Sequence, residues 1–429
     1  MERVTFSNRG KQVVGNLFTP ADANAGTAGP AIVVTHPFGA VKEQVSTLYA
    51  QLLTEQGFIT LVFDAAYQGE SGGEPHFTES PASRVEDIRC AVDFLTTRRE
   101  VDPERIGALG ICAGGGYTLN AAQSEHRIKA VAGVSSFDIG SARRSGIGGT
   151  VSPERRREIL HVVGQQRTLE AEGEPIRYYS LVRDDPTFDV THPETLPALY
   201  RDGYLCYTQI APNERAMTEF VFTTYAEQRA FFPFADMQAI SPGPLLLIVG
   251  SEADTLCFSQ DAYDRAAEPR ELMIIDGASH IDLYHKHDCV PTVATKLAAF
   301  YHQHLEGRRC RIAEVREPAP AGAPWGPGYR APGIAGVAIG PAASAFSPGR
   351  VADVASPAMR WAGSPLTARI GGRFSRGPRC AAWRESRARR DRDQRSAPAS
   401  GVVSPRRTRV SQRARAAGSR SVGALVNSR

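Results

Sequence analysis

Residues 105–117 read Arg-Ile-Gly-Ala-Leu-Gly-Ile-Cys-Ala-Gly-Gly-Gly-Tyr, and they place one cysteine where it could do covalent chemistry. An apolar run leads into Gly110, then Cys112, then three glycines, then a segment compatible with a helix. That is a strand-to-helix elbow of the form Gly-x-nucleophile-x-Gly, with cysteine where serine more often sits. The turn is sharp, so side chains two residues before and two after the nucleophile would collide, and Gly110 and Gly114 remove them. A helix beginning just behind Cys112 aims its positive dipole end at the sulfur and favours thiolate. The competing reading is a buried structural cysteine at a tight turn, since free cysteine is among the most buried residue types.

Acyl chemistry on such a cysteine needs a base, a group that orients the base, and donors for an oxyanion. In parallel α/β sheets these lie beyond the carboxyl ends of the strands. The base candidate is His280, in Asp276-Gly-Ala-Ser-His280, a small-residue loop after an apolar strand. His36, His285, His287 and His302 are rivals in weaker positions. The acid candidate is Asp254, in Gly250-Ser-Glu-Ala-Asp254-Thr255, directly after another apolar strand. Asp254 would hold the imidazole tautomer, with Asp138 as runner-up and Glu252 behind it. The oxyanion donors would be the backbone N–H of Ala113 and one from the loop Thr35-His-Pro-Phe-Gly-Ala40. Pro37 has no N–H, which leaves Phe38 or Gly39, with Phe38 favoured. His36 then props that loop. Asp64 anchors the glycine-rich turn 67–73, which is not a phosphate loop because no Gly-Lys-Ser/Thr follows.

The elements needed to position these residues can be read from periodicity. Residues 3–8 and 11–20 alternate as a hairpin with Arg9-Gly10-Lys11 at the turn. Continuous apolar strands lie at 31–35, 60–64, 105–111, 130–135, 244–250 and 271–275. Helical spacing marks 42–56, 81–98 and about 290–305. The alternation predicts an α/β fold with a mostly parallel, doubly wound sheet of about eight strands. Between 136 and 244 roughly 100 residues leave that rhythm and read as a helical lid over the strand ends, taken as 141–240. The lid holds a charged helix candidate at 152–172 and an aromatic-rich one at 214–231. Phe220, Phe222, Tyr225, Phe231, Phe232 and Phe234 crowd the second, either roofing an apolar pocket or packing the lid down.

The formal net charge of +4 averages two unlike parts. Residues 308–429 hold 24 Arg, no Lys and 6 acidic residues, which leaves residues 1–307 with 26 basic and 40 acidic residues, a net charge of −14. The acidic part is expected to bind no nucleic acid. The Arg/Ala/Gly/Pro-rich tail 308–429 is expected to be disordered or artefactual, because it cannot bury enough surface to offset chain entropy. A functional basic tail and a folded domain are the alternatives. No apolar run reaches ~18 residues, so no membrane span is expected. The N-terminus lacks an apolar signal core. Seven dispersed cysteines form neither a Cys-x-x-Cys pair nor a metal-ligand spacing, which fits a cytoplasmic protein with reduced thiols and no metal or other cofactor.

Together, His36-Pro-Phe-Gly-Ala-Val-Lys-Glu-Gln44, Gly110-Ile-Cys-Ala-Gly-Gly-Gly116 and Gly277-Ala-Ser-His-Ile-Asp-Leu-Tyr284 resemble the α/β-hydrolase superfamily. The resemblance is to its dienelactone-hydrolase-like, polyketide-transferase-like branch with a cysteine at the elbow, and it covers residues 2–306. The order Cys112…Asp254…His280 matches the superfamily's nucleophile–acid–base order. The resemblance implies an α/β-hydrolase fold and a hydrolase acting on a small-molecule ester, lactone or thioester through a covalent acyl-enzyme. Acyl transfer by the same residues is the alternative, as is a non-catalytic ligand-binding protein. In dienelactone hydrolases a glutamate near the elbow influences the thiol. Glu43 is the loop candidate here, against a glutamate placed at a helix start by the dipole.

Overall fold

A computed structural model describes residues 1–21, 27–180, 197–216 and 219–306. The expectation for the tail 308–429 lies outside the described residues. β1 (Glu2–Asn8) and β2 (Lys11–Phe18) pair antiparallel across Arg9 and Gly10. Both turn residues have positive φ, as a two-residue hairpin matched to strand twist requires. The other strands of this sheet are β3 (Gly29–Thr35), β4 (Ile59–Phe63), β5 (Val101–Ile111), β6 (Ile128–Val134), β9 (Leu245–Gly250) and β10 (Arg270–Ile275). The sheet has eight strands in the order β1-β2-β4-β3-β5-β6-β9-β10, and β2 alone runs opposite to its neighbours.

The central strands are apolar along their whole length because both faces are covered. Ile32, Val33, Val34, Leu61, Val62, Ala108 and Leu109 are fully buried. Helices α1 (Val45–Glu55) and α10 (Val290–Leu305) pack on each other, α2 (Pro81–Thr96) packs on α3 (Ala113–Ala122), and α8 (Leu256–Arg265) packs on β9 and β10. The register sets the function. Thr35 pairs with Gly110, Gly110 with Gly133, Val134 with Ile248, and Gly250 with Ile275. The carboxyl ends of five strands therefore finish level, and the loops after them converge.

Between β6 and β9 the chain builds a separate layer. It comprises α4 (Ile139–Ser145), α5 (Pro153–Ala171), β7 (Tyr178–Ser180), α6 (Ala198–Leu205), a π-helical turn at Cys206–Ile210, β8 (Glu219–Val221) and α7 (Tyr225–Ala230). The helix expected at 152–172 is α5, started by Ser152, whose hydroxyl accepts from the Arg155 amide at 3.2 Å, and by Pro153 in the first turn. The helix expected over 214–231 is corrected. Its middle, Phe220-Val-Phe-Thr-Thr224, is aromatic and β-branched, and such residues fit a pleated ribbon better than a helix. Residues 219–221 accordingly form β8 and pair antiparallel with β7. Among the described residues there, 225–230 alone are α-helical. Among the described residues no helix is long and apolar enough to cross a membrane.

Candidate active site

Cys112 follows β5 and caps α3 with φ 56° and ψ −123°, a positive-φ conformation that non-glycine residues seldom adopt. The surroundings hold it there. Its N–H donates to Val134 O at 3.0 Å, and its carbonyl accepts from Gly115 N at 2.9 Å and Phe137 N at 2.8 Å. The glycines are required by close approach. A Cβ on Gly110 would lie 2.4 Å from Gly114 O, and one on Gly114 would lie 2.5 Å from Thr35 O and 2.6 Å from His36 O.

The Cys112 thiol is 8% exposed. Burial pushes it up to about 11, against the donors that favour its thiolate, which are the Tyr284 hydroxyl and the backbone amides of Ala113 and Phe38. The helix start favours the thiolate through the Ala113 amide, and desolvation of the charged form outweighs it. The two amides are those expected for an oxyanion. Both are directed at the sulfur, and so toward the place where a carbonyl attacked by it would sit.

The Phe38 loop is held from beneath by His36, as expected of a prop. His36 Nδ1 lies 2.7 Å from Pro37 O, and Nε2 lies 3.1 Å from Ala65 N and 2.9 Å from Arg84 NH1. Burial, then the Arg84 charge, hold this histidine well below its ordinary range, so it stays neutral. Arg84 is itself buried, donates to His36 O at 2.7 Å, pairs with Glu79 at 3.7 Å and lies over the Tyr117 ring.

His280 is 1% exposed, and burial drives it down to about 3. Its Nδ1 sits 2.5 Å from Thr255 Oγ1, and its Nε2 sits 3.1 Å from Tyr284 OH. The Ser135 hydroxyl donates to the His280 carbonyl at 3.1 Å and fixes the loop to the end of β6. Tyr284 follows His280 by four residues, in the helical turn α9 (Asp282–His285), and so returns to the same face. Its hydroxyl contacts the imidazole and lies within reach of the sulfur. Thr255 and Tyr284 are the two residues that sequence reasoning missed. The signals were adjacency to Asp254 and the four-residue spacing from His280.

Asp254 is placed elsewhere. Its Oδ2 accepts from Leu199 N at 3.1 Å, in the first turn of α6, and its Oδ1 is buried without a partner among the described residues. No hydrogen bond or ion pair joins Asp254 to His280 in this arrangement, because the lid amide takes one oxygen and Thr255 occupies Nδ1. Asp138 caps α4 through Ser141 N at 2.7 Å, and Glu252 is exposed.

Asp64 anchors the glycine-rich turn as expected. Its carboxylate accepts from Lys42 N at 2.7 Å and Glu70 N at 2.9 Å, and a Cβ on Gly69 would lie 2.3 Å from it. Glu43, Asp64 and Glu70 lie close enough together to suggest a cation site. The Lys42 ammonium occupies that position, 2.6 Å from Glu43, 2.8 Å from Asp64 and 2.6 Å from Glu70. Glu43 therefore serves the ion cluster.

The lid aromatics pack inward at the same end. Phe220 meets the Phe38 ring edge-on with centroids 5.6 Å apart, and the Arg143 guanidinium lies over Phe38, Phe220 and Tyr225. Phe231 packs on Tyr117, while Phe234 is buried and Phe232 exposed. Gln44, Val45, Cys206, Tyr207, Ala211 and Tyr284 line part of a small cleft. A larger cavity of about 300 Å³ lies at the opposite, amino end of β6, between Ile128, Lys129 and Pro242.

The strand order, the strained residue at the turn after β5 and the amides around it define an α/β hydrolase. Residues 13–137 match the dienelactone hydrolase family model. The uncharacterized protein PA2218 of Pseudomonas aeruginosa is 40% identical over 311 residues, 71% of this chain and 80% of that protein. Its crystal structure superposes with a TM-score of 0.65 over 93% of its chain. GrgF of a Penicillium species, named a polyketide transferase, is 28% identical over 60% of this chain and 83% of its own. Its crystal structure gives a TM-score of 0.59 over 99% of its chain. AneE of Aspergillus aculeatus, named a thiohydrolase, is 27% identical over 55% of this chain and 73% of its own. The chain belongs to the dienelactone-hydrolase-like group of the α/β-hydrolase superfamily, and its chemistry is that of a hydrolase or acyltransferase of this type.

Proposed function

We propose that the protein cleaves a small ester, lactone or thioester through a covalent acyl group on Cys112. The observation that carries this reading is the placement of Cys112. Its sulfur sits on a glycine-flanked elbow, faced by the amides of Ala113 and Phe38 and linked through Tyr284 to His280. Cys112 attacks the carbonyl, the two amides hold the developing oxyanion, and His280 takes up and later returns the proton. A neutral imidazole donates at one ring nitrogen and accepts at the other. With Nδ1–H donated to Thr255, Nε2 keeps its lone pair toward the sulfur side, which is the tautomer a base needs. Thr255 thus does the orienting that Asp254 was expected to do. Asp254, one residue earlier, couples this loop to the lid. A compartment that keeps thiols reduced fits the five described cysteines, all of them free.

Acyl transfer to an alcohol is the second reading. It is favoured by the burial of both Cys112 and His280 beneath the lid, which limits water at the acyl group. The names of GrgF and AneE cover both outcomes. The test is turnover of a panel of short p-nitrophenyl esters, lactones and acyl thioesters by the wild type and Cys112→Ala, with and without an added alcohol. Loss of turnover in Cys112→Ala with retained fold supports the reading, and unchanged turnover overturns it.

A further inference from the structure

The link between sulfur and imidazole is a phenol. Tyr284 OH lies 3.1 Å from His280 Nε2, and the rings are tilted with centroids 5.7 Å apart. The same hydroxyl lies within reach of the Cys112 sulfur. Tyr284 is 3% exposed and lies in α9, which begins two residues after His280. A phenol has one hydrogen to donate and an oxygen that accepts. Placed between a thiol and an imidazole, it can take one proton and give up another without ever carrying a net charge.

Resting on the acyl-enzyme reading above, we propose that Tyr284 is a catalytic residue that carries the proton between Cys112 and His280. In the attack, the Cys112 S–H proton passes to the Tyr284 oxygen as the S–C bond to the acyl carbonyl forms. The Tyr284 hydroxyl proton passes in the same step to His280 Nε2. The products are a tetrahedral oxyanion under the Ala113 and Phe38 amides, a neutral phenol and an imidazolium. Return of the two protons along the same path, with the last going to the leaving group, restores the imidazole as the C–O or C–S bond breaks.

The surroundings suit this role. Besides His280, the titratable groups Cys112, Tyr207 and Cys206 act on Tyr284, and burial together with these three pushes the phenol well above its ordinary range. Phenolate is thereby disfavoured, and the hydroxyl acts as a conduit rather than as a base. A direct Cys–His pair would need no such residue, and phenylalanine at this position would preserve the packing.

The experiment has two arms on the full-length protein. The first compares wild type and Tyr284→Phe in the rate of Cys112 alkylation by iodoacetamide, followed by peptide mass spectrometry, and in the acylation burst with a short acyl thioester. A relay predicts that both rates fall roughly 100- to 10,000-fold in Tyr284→Phe, the usual range for losing a proton-transfer group. The second arm is a proton inventory of the burst in mixed H₂O and D₂O. It is curved for wild type if two protons move together, and it should become linear in Tyr284→Phe. Unchanged alkylation and burst in Tyr284→Phe overturn the proposal, as does a linear inventory in the wild type, which needs no variant to fold. A burst lost while alkylation is kept also overturns it, because the phenol would then serve the substrate and not the thiol. Failure of the acyl-enzyme reading is separate, since it appears as turnover that survives Cys112→Ala.

Discussion

Thr255 Oγ1 lies 2.5 Å from Nδ1 of His280, where a carboxylate orienting the imidazole was expected. The hydroxyl fixes the ring but brings no charge, so nothing offsets the burial that holds His280 down to about 3. A thiol is a better acid than an alcohol and asks less of its base, which makes a neutral orienting residue compatible with cysteine at the elbow.

Thr255→Val keeps the shape and strands the buried Nδ1–H. An unsatisfied buried donor costs about 1–3 kcal/mol, so kcat/KM should fall roughly 5- to 150-fold with KM little changed. Asp254→Asn should cost less than about 10-fold, since its oxygen still accepts from Leu199. Steady-state kinetics of both variants decide the matter. A collapse in Asp254→Asn beside a normal Thr255→Val would place the orienting group back on Asp254.

The pH behaviour follows from burial. With His280 held at about 3 and Cys112 pushed to about 11, the free enzyme's kcat/KM should stay level from pH ~5 to ~9, without the step near 6.5 of an ordinary histidine. Stability carries the matching sign. A histidine whose folded pKa lies below its unfolded value contributes stability that is fully present above ~6.5 and is lost as pH falls toward the folded value. His280 and His36 both act in this direction. Thermal melts should therefore drop as pH falls from ~6.5 toward 4, and His280→Gln should flatten part of that slope.

The elbow tolerates no side chain at its flanks. Gly114→Ala would drive a Cβ to 2.5 Å from Thr35 O, a backbone atom of the neighbouring central strand. We expect a loss of more than about 3 kcal/mol or an insoluble product, measured by denaturant melts. Gly149→Ala, where a Cβ meets nothing within 4 Å but φ is 80°, should cost only about 1 kcal/mol from backbone strain.

Lys42 holds three carboxylates while only 1% exposed. Burial alone would lower its ammonium, and Asp64, Glu43 and Glu70 more than reverse that. Lys42→Met leaves Asp64 buried and uncompensated, and should destabilise the fold by about 3–5 kcal/mol in a denaturant melt.

The parts of this protein that were legible in its sequence are those set by backbone sterics and periodicity. Gly110 and Gly114 announced the elbow because only a missing Cβ permits it. The parallel strands announced themselves as unbroken apolar runs. Ala113 and Phe38 followed from strand ends and from the missing N–H of Pro37. The misses arose where tertiary contact decides. Thr255 is one residue from Asp254, and no local rule says which of the two reaches His280 once Leu199 of the lid competes for the carboxylate. Tyr284 reads as one more apolar position until the helical turn brings it to the sulfur. The 219–224 segment carries helical spacing, but its aromatic and β-branched residues find a partner strand at 178–180. The helix start that favours the thiolate is visible in the sequence, whereas the depth of burial that raises the thiol is not.

The central claim is that Cys112 carries the acyl group. Rapid quench of the full-length protein with a short acyl thioester, followed by digestion and mass spectrometry, tests it most directly. The account predicts an acyl adduct of stoichiometry near one on the peptide containing Cys112, with no adduct on Cys90, Cys206, Cys257 or Cys289. Steady turnover with no adduct on Cys112, or an adduct on another residue, would contradict it.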